Sequence, residues 1–344
     1  MLMKKNGKGR RRIILSLFCQ CCLTFPLFAL PCSCAKIDDF ENFEDIPNPY
    51  ANKSASEFIA VFGDIQYYTN YSNIKLFKRS LDWIEYVAKD LKILCALHTG
   101  DVTNSCNSAQ WSHFGNAIKG FSKSIPFITN IGDHDYYWDG AYINSRNDTS
   151  FSEHTEFPLV RNMIETAFEE GRMENIVVRN EIHGQRYDFL LLEFGPRKEV
   201  VEWAKEWVTS HPDIKYILMN HEYLESGGGR RVSNLKCKLR LRNTTYVTPD
   251  ELWNELVKHN DNIVCILCGH VGSLYAVTYE KNDFGRDVCQ IQHNIQGSGY
   301  RYDNWLMVWE FPEDGDDAII SIVNTRTGLL FDSKESLFTF KYRY

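Results

Sequence analysis

Five hydrophobic segments of this 344-residue sequence each end in an aspartate or a histidine, and glycine comes directly before that residue in four of them. The five residues are Asp64, Asp101, Asp133, His221 and His270. Carboxylate oxygens and imidazole nitrogens are the ligands that Mn, Fe and Zn take in proteins. A bound cation of this kind polarises the bond under attack and lowers the pKa of a bound water. One such residue after a strand is usually an ordinary turn or helix cap, but five in series predict a shared metal site.

The hydrophobic segments have the composition of buried β-strands, because they are short and rich in Ile, Leu, Val and Phe. Between them, apolar residues at helical spacing predict helices over 73–89, 108–121, 159–170, 197–209 and 249–259. This alternation is typical of α/β folds, in which side chains at the carboxyl ends of the strands converge on one crevice. After His270, short alternating segments predict a second sheet, so the expected fold is a β-sandwich flanked by helices.

The motifs follow one another in a recognisable order, namely Asp64-x-Gln66, Gly100-Asp101, Gly132-Asp133-His134-Asp135, Asn220-His221 and Gly269-His270. This order resembles that of the calcineurin-like metallophosphoesterases, and the segment 287–311 is similar to the closing strands of their exported bacterial members. The resemblance covers residues 57 to 325. It implies an α/β fold with a four-layer αββα sandwich, in which helices flank two mixed β-sheets. It also implies two divalent metal ions, Mn, Fe or Zn.

Carried over to this sequence, the resemblance implies two metal sites that share Asp101 as a bridging carboxylate. The first metal site consists of Asp64, Gln66 and Asp101, and Gln66 stands where a histidine is common. Gly272 replaces a further histidine of the first metal site. The second metal site consists of Asp101, Asp133, His221 and His270. We therefore expect one tightly bound metal ion at the second metal site. The first metal site should be weaker and rich in oxygen ligands, and should fill with Mn or Mg only at high concentration or with substrate bound.

Two more residues of the third motif have catalytic roles in the family that this sequence resembles. The resemblance implies that His134 protonates the leaving oxygen and stabilises charge on the phosphoryl group, and that Asp135 orients it. Because both are present, the sequence favours a metal-dependent hydrolase of a phosphomonoester, a phosphodiester or a pyrophosphate. The alternative is a catalytically impaired pseudoenzyme, or a ligand-binding cell-surface lipoprotein, that retains one metal ion. A serine hydrolase is disfavoured, since no Gly-x-Ser-x-Gly motif occurs.

Residues that follow the ligand motifs are candidates for binding the substrate. Tyr67, Tyr136 and Trp138 come directly after ligand motifs and offer aromatic faces to an apolar part of a substrate. Packing of loop ends is the alternative role for such rings. Arg230, in a glycine-rich segment after His221, is a candidate for contacting a phosphate.

The N-terminal residues have the plan of a secretory signal, with six basic residues at positions 4–12 and an apolar run at 13–30. Cysteines after small residues are typical of lipoprotein signals, and Cys34 is favoured over Cys32 as the acylated residue. A membrane-spanning anchor is the alternative. In either case we expect an exported protein that is tethered to the membrane, in the periplasm or at the cell surface. The expected organisation is a signal peptide at 1–34, an acidic tether at 35–55 and a calcineurin-like phosphoesterase domain at 56–344.

The formal net charge of the chain limits the classes of partner that we expect. Removing the six basic residues of the signal changes the formal net charge from −7 to −13. A protein this acidic lacks the basic surface of a nucleic-acid-binding protein, so we expect no nucleic acid partner. The expected partner is a phosphorylated small molecule, glycan or lipid that serves as substrate.

The body of the chain contains an even number of cysteines, which in an exported protein permits disulfides. They are Cys95, Cys106, Cys237, Cys265, Cys268 and Cys289. Most lie in strand-like segments, where cysteine is usually a small buried apolar residue. Strand alternation would place Cys265 and Cys268 on opposite faces, which argues against a redox or zinc motif.

Overall fold

The architecture comes from a computed structural model that describes residues 43–139, 142–143, 145–231, 245–296 and 299–344. The predicted signal peptide with Cys34, the beginning of the tether and Cys237 lie outside the described residues. Asn42–Tyr344 form one unit of the chain. Within the described ranges, no helix has the length and apolar character needed to cross a membrane.

Strands and helices alternate through the first two thirds of this unit, and strands dominate the last third. The strands are β1 (Glu57–Phe62), β2 (Lys92–His98), β3 (Phe127–Thr129), β4 (Ile164–Ala167), β5 (Ile176–Val178), β6 (Glu181–Ile182), β7 (Gln185–Leu192), β8 (Lys215–Asn220), β9 (Ile263–Cys268), β10 (Ala276–Lys281), β11 (Asp287–Gln292), β12 (Trp305–Phe311), β13 (Asp317–Asn324) and β14 (Phe338–Lys341). The helices are α1 (Ile74–Val87), α2 (Ser108–Ile118), α3 (Phe151–Thr155), α4 (Pro158–Arg161), α5 (Lys198–Ser210) and α6 (Pro249–Leu252), which continues as a π-helical turn over Trp253–Val257.

The strands form two mixed sheets. The first has the order β14-β13-β12-β1-β2-β3, in which β1, β2 and β3 are parallel and β12 is antiparallel to β1. The second has the order β10-β11-β9-β8-β7-β5-β4, in which β7, β8, β9 and β11 are parallel. The short β6 pairs with β7. Parallel strands point their carboxyl ends in one direction, so each sheet presents a row of strand ends on which side chains can converge.

Alternating residues of the strands face different apolar clusters. Phe62 of β1 packs on Phe77 of α1, with ring centroids 5.5 Å apart, so α1 covers one face of the first sheet. On β9, Cys265 belongs to the large cluster that includes both sheets, whereas Cys268 belongs to the cluster that includes Val208 of α5. The predicted β-sandwich flanked by helices is confirmed, as are the opposite orientations of Cys265 and Cys268.

Four of the five predicted helices are present within a few residues of their expected bounds. The helix predicted over 159–170 is wrong, because α4 ends at Arg161 and β4 follows it. The β-branched Ile164 and Thr166 lie in β4, which pairs antiparallel with β5, and this pairing outweighs the helical spacing of apolar residues. The five described cysteines are free thiols.

Candidate metal centre

The predicted ligands lie just beyond the carboxyl ends of strands from both sheets. Asp64, Asp101 and Asp133 follow β1, β2 and β3 of the first sheet, and His221 and His270 follow β8 and β9 of the second. All five side chains are buried. The two rows of strand ends therefore contribute to a single buried centre.

Four of these residues bring their ligand atoms together. One carboxylate oxygen or imidazole nitrogen from each of Asp101, Asp133, His221 and His270 lies within 4.8 Å of the others. The Nε2 atom of His221 is 3.3 Å from Asp101 Oδ1 and 3.5 Å from Asp133 Oδ1. The Nδ1 atom of His270 is 3.2 Å from Asp133 Oδ1. Two carboxylates and two imidazoles around one point are a donor set that fits Zn, Mn or Fe, so the residues of the second metal site suit a divalent cation.

The imidazole of His221 is oriented by the backbone. Its Nδ1 atom lies 2.9 Å from the carbonyl oxygen of Thr99, to which it donates a hydrogen bond as the Nδ1–H tautomer. This contact leaves Nε2 as the nitrogen that faces the carboxylates. A backbone acceptor behind a ligating histidine fixes the ring and raises its basicity.

Without a cation, protons balance the buried carboxylates. Burial alone would lower the pKa of His270, but Asp133 and then Glu222 outweigh it and raise that pKa to about 9. The pKa of His221 is also raised, since Asp101 and Asp64 outweigh its burial. Burial alone would raise the pKa of Asp133, but the neighbouring imidazoles outweigh it and hold that pKa well below the usual range. In the metal-free protein the neighbouring carboxylates therefore favour the protonated forms of these imidazoles.

Backbone geometry explains why glycine precedes the ligands. Asp101 and His270 adopt left-handed backbone conformations with φ of 59° and 65°, which cost energy for residues other than glycine and concentrate at functional sites. A Cβ atom on Gly132 would collide with the Asp101 carboxylate, and one on Gly269 would collide with the Asp64 carboxylate. Each of these glycines therefore leaves space for a ligand supplied by another strand.

The first metal site is organised differently, because hydrogen-bond donors surround its carboxylate. Asp64 accepts hydrogen bonds from Thr99 Oγ1 at 3.2 Å, from the backbone nitrogen of His270 at 3.2 Å and from Asn294 Nδ2 at 2.6 Å. Burial raises the pKa of Asp64 to about 7. Gln66 donates from Nε2 to Asp101 Oδ2 at 2.7 Å. Asp64 and Gln66 thus lie beside the second metal site, within a hydrogen-bond network.

Two features of the first metal site differ from a histidine-rich arrangement. Gly272 is exposed and has no imidazole to contribute. Asn294, which was not predicted, reaches Asp64 from the loop after β11. The neighbouring His293 is buried, with Nδ1 2.6 Å from the carbonyl oxygen of Leu274. That contact assigns His293 to the support of the loop.

His134 and Asp135 lie at the centre but do not interact as predicted. The Nδ1 atom of His134 is 2.7 Å from the carbonyl oxygen of Asn104. The carboxylate of Asp135 instead accepts hydrogen bonds from the backbone nitrogens of Val102 at 3.1 Å, Thr103 at 2.8 Å and Gly132 at 3.1 Å. The prediction that Asp135 orients the imidazole is therefore corrected. Asp135 thus holds the ligand loops, while the carbonyl of Asn104 orients His134.

A buried charged pair behind His270 was also not predicted. Glu222 follows His221 directly, and its Oε1 atom is 3.4 Å from His270 Nε2. Arg231 Nε forms an ion pair with the same oxygen at 2.8 Å. The adjacency of Glu222 to a ligand was the available signal in the sequence. The pair orients His270 from the side opposite the second metal site.

The four residues predicted to bind substrate differ in their surroundings. Tyr136 is fully buried in the apolar core, so its predicted contact with a substrate is wrong. Arg230 forms ion pairs with Asp250 at 2.8 Å and with Glu280, which occupy its charge, so its prediction as a phosphate contact is also wrong. The ring of Trp138 is 6.0 Å from that of His134. Tyr67 is partly exposed next to Gln66.

The sequence is similar to known proteins across this centre. A family described as calcineurin-like phosphoesterase matches residues 59–305, which include every residue of both metal sites. A Bacillus subtilis (strain 168) protein named "Uncharacterized protein YvnB" is 27% identical over 273 residues. The aligned region covers 75% of this chain and 19% of that protein, so the chain spans only a small part of this curated relative.

Proposed function

Since the chain belongs to the calcineurin-like phosphoesterase family, we propose that it is a metal-dependent hydrolase of phosphate esters acting at the second metal site. The single observation that carries this proposal is the convergence of two carboxylates and two imidazoles within 4.8 Å at strand ends. A divalent cation bound there would supply Lewis acidity toward a phosphoryl oxygen and lower the pKa of a bound water. The substrate class is a phosphomonoester, a phosphodiester or a pyrophosphate on a small molecule, a glycan or a lipid.

His134 is suited to act as the proton donor. Its Nδ1–H is occupied by the Asn104 carbonyl, so Nε2 is the nitrogen that would give a proton to the leaving oxygen. The side chain is partly exposed, in contrast to the buried ligands, so a substrate can reach it. Its backbone nitrogen donates to Asp101 Oδ1 at 3.0 Å, which fixes the distance between this acid and the metal ligands. The ring of Trp138 packs edge-on against the imidazole, with ring centroids 6.0 Å apart.

We also propose that the first metal site binds its cation weakly. Protein donors already occupy both oxygens of Asp64, and the Gln66 amide nitrogen faces Asp101, so a cation there would have to displace several hydrogen bonds. Rotation of the Gln66 amide would present Oε1, which accepts no hydrogen bond from the described residues, as a neutral ligand. The same features favour the second candidate function. It is a pseudoenzyme or ligand-binding lipoprotein that keeps one metal ion without turnover.

The experiment that separates the two functions combines metal analysis with a substrate panel. Purified protein is loaded with Mn²⁺ and assayed with p-nitrophenyl phosphate, bis-p-nitrophenyl phosphate and a nucleoside diphosphate sugar. Hydrolysis that is lost in an Asp101→Asn variant supports the enzyme. Asparagine suits this control because it has the same shape and tolerates a left-handed backbone. Absence of hydrolysis in both proteins, with about one metal ion per chain by elemental analysis, would support the pseudoenzyme.

We further propose that the protein is exported and held at the membrane through a lipid on Cys34, as the plan of residues 1–34 supports. The test is metabolic labelling with a palmitate analogue. Labelling should be lost in a Cys34→Ala variant and kept in Cys32→Ala. The reverse pattern would assign the lipid to Cys32 instead of Cys34. A wild-type chain that is found at the membrane without label would favour the spanning anchor.

A further inference from the structure

The loop between β11 and β12 lies along the first metal site. At its beginning, Asn294 Nδ2 donates to Asp64 Oδ2 at 2.6 Å. At its end, the backbone nitrogen of Asn304 lies 3.4 Å from the hydroxyl oxygen of Tyr68. The loop is thus attached at two points to the segment that carries Asp64 and Gln66. Both contacts are to residues of the segment 64–68 and not to a ligand of the second metal site.

A relay of hydrogen bonds connects Asp64 to an arginine in this loop. The Oδ1 atom of Asn294 accepts from the backbone nitrogen of Gln296 at 2.7 Å. The carbonyl oxygen of Gln296 accepts from Arg301 Nε at 2.7 Å. The guanidinium carbon of Arg301 lies 3.9 Å from the ring centroid of Tyr67, the residue directly after Gln66. These two contacts hold the guanidinium over the ring of Tyr67, one residue beyond Gln66.

The terminal nitrogens of Arg301 remain available to a ligand. In the part of the chain that the structure describes, no carboxylate oxygen lies within 4.0 Å of this guanidinium, and its one hydrogen bond uses Nε. The side chain is partly exposed. Arg230 and Arg231 differ from it, because carboxylates neutralise both. Arg301 is therefore a preoriented positive charge with no counter-ion among the described residues.

We propose that Arg301, held on Tyr67, is a phosphate-binding residue that contacts the non-bridging oxygens of the substrate's phosphate on the side of the first metal site. The planar fork of two terminal N–H groups matches two phosphate oxygens, and the aromatic ring reduces the entropy lost on binding. The inference rests on the proposed function, which brings a phosphate to this centre. It also supplies the chemical reason for the site: where a cation is weakly bound, a fixed guanidinium provides positive charge to the same side of the phosphate.

The test compares Arg301→Gln and Arg301→Lys with the wild-type protein, all loaded with Mn²⁺. Calorimetry measures the Kd for inorganic phosphate, and p-nitrophenyl phosphate gives KM and kcat. Loss of a charge-assisted contact predicts an increase of about 10- to 100-fold in both Kd and KM for Arg301→Gln. Arg301→Lys should recover part of this loss, because it keeps the charge without the fork. Metal content should stay as in the wild type.

Matched variants separate phosphate contact from general effects. Arg343 lies over the ring of Tyr342 in the C-terminal segment, so Arg343→Gln removes an arginine from a similar pair and should leave Kd unchanged. An unchanged phosphate Kd in Arg301→Gln, or an equal loss in Arg343→Gln, overturns the inference. Because phosphate binding is measured directly, this outcome is distinguishable from a wild-type protein that binds phosphate but hydrolyses none of the substrates.

Discussion

Titration of the metal-free protein with Mn²⁺ is expected to release protons into solution. The donors of the second metal site that face Asp133 are His221 Nε2 and His270 Nδ1, and both imidazoles have raised pKa values before metal is added. A protonated nitrogen has no lone pair for a cation. Binding therefore requires each imidazole to lose a proton, and the apparent affinity must rise with pH.

The pKa of about 9 for His270 sets the magnitude. At pH 7, removing this proton costs about 2.7 kcal/mol, since each pH unit below the pKa contributes about 1.36 kcal/mol. The apparent affinity at pH 7 is then about 100-fold lower than above pH 9 from this group alone. His221 adds to the slope, because its pKa is raised as well. Between one and two protons should leave for each Mn²⁺ bound.

The free energy of unfolding of the metal-free protein should fall as pH rises, whereas the metal affinity increases. The folded-state pKa of His270 lies above its unfolded value of 6.5, so its contribution to the free energy of unfolding is complete below pH 6.5. That contribution is lost as pH rises through about 9. Metal-bound protein gains affinity over the same interval. The difference in Tm between metal-bound and metal-free protein should therefore widen from pH 6.5 to 9.

Calorimetry at pH 7 in two buffers with different ionisation enthalpies measures the number of protons released. Asp133→Asn is the matched variant, because Asp133 is the strongest of the charges that raise the pKa of His270. In this variant the pKa of His270 is lower, so the number of protons released for each Mn²⁺ bound should fall toward one. Heats that do not depend on the buffer in the wild-type protein, or equal proton release in both proteins, would refute the reasoning.

Three further predictions concern residues around the ligands. Glu222→Gln removes the charge behind a ligating imidazole and should weaken Mn²⁺ binding by about 10- to 100-fold once the Kd is corrected for the smaller proton release that follows from a lower pKa of His270, and an unchanged corrected Kd would contradict its orienting role. Gly272→His supplies the missing ligand and should raise metal content from about one to about two ions per chain by elemental analysis, whereas a constant value would show that the first metal site is limited by something else. Gly132→Ala should lower Tm and metal content, because its Cβ would collide with the Asp101 carboxylate. Gly115→Ala in α2, where a Cβ meets nothing within 4 Å, is its control and should be neutral or stabilising.

The strand ends were predictable because two local signals agreed at each of them. A short apolar run predicts a buried strand, and a polar residue after it must lie at the edge of the sheet. The prediction of a helix over 159–170 was wrong because the local signal and the tertiary pairing disagreed. The apolar spacing of this segment suits a helix, but Ile164 and Thr166 gain more from pairing with β5, a partner that the segment itself does not reveal.

Side-chain contacts within the centre were less predictable than the strand ends. Asp135 is next to His134 in sequence, yet Asn104, thirty residues earlier, makes the contact with the imidazole. Asn294 lies 230 residues from Asp64, and no spacing in the sequence connects them. Such contacts join residues that are far apart in the sequence, and they depend on the positions that the loops take in the folded protein. Sequence order therefore predicts which strands supply ligands better than it predicts which loops orient them.

The presence of glycine rather than histidine at position 272 takes on a different meaning once these loop contacts are included. A missing cation ligand would be expected to leave buried carboxylates without compensation, which is costly. Here Thr99, the backbone of His270 and Asn294 donate to Asp64, and Gln66 donates to Asp101. Hydrogen-bond donors thus supply part of the positive potential that a first cation would otherwise provide. Arg301, whose guanidinium has no carboxylate partner among the described residues, lies at the end of the same network, so donors for an anion accompany the weak cation ligands that we propose for this side of the centre.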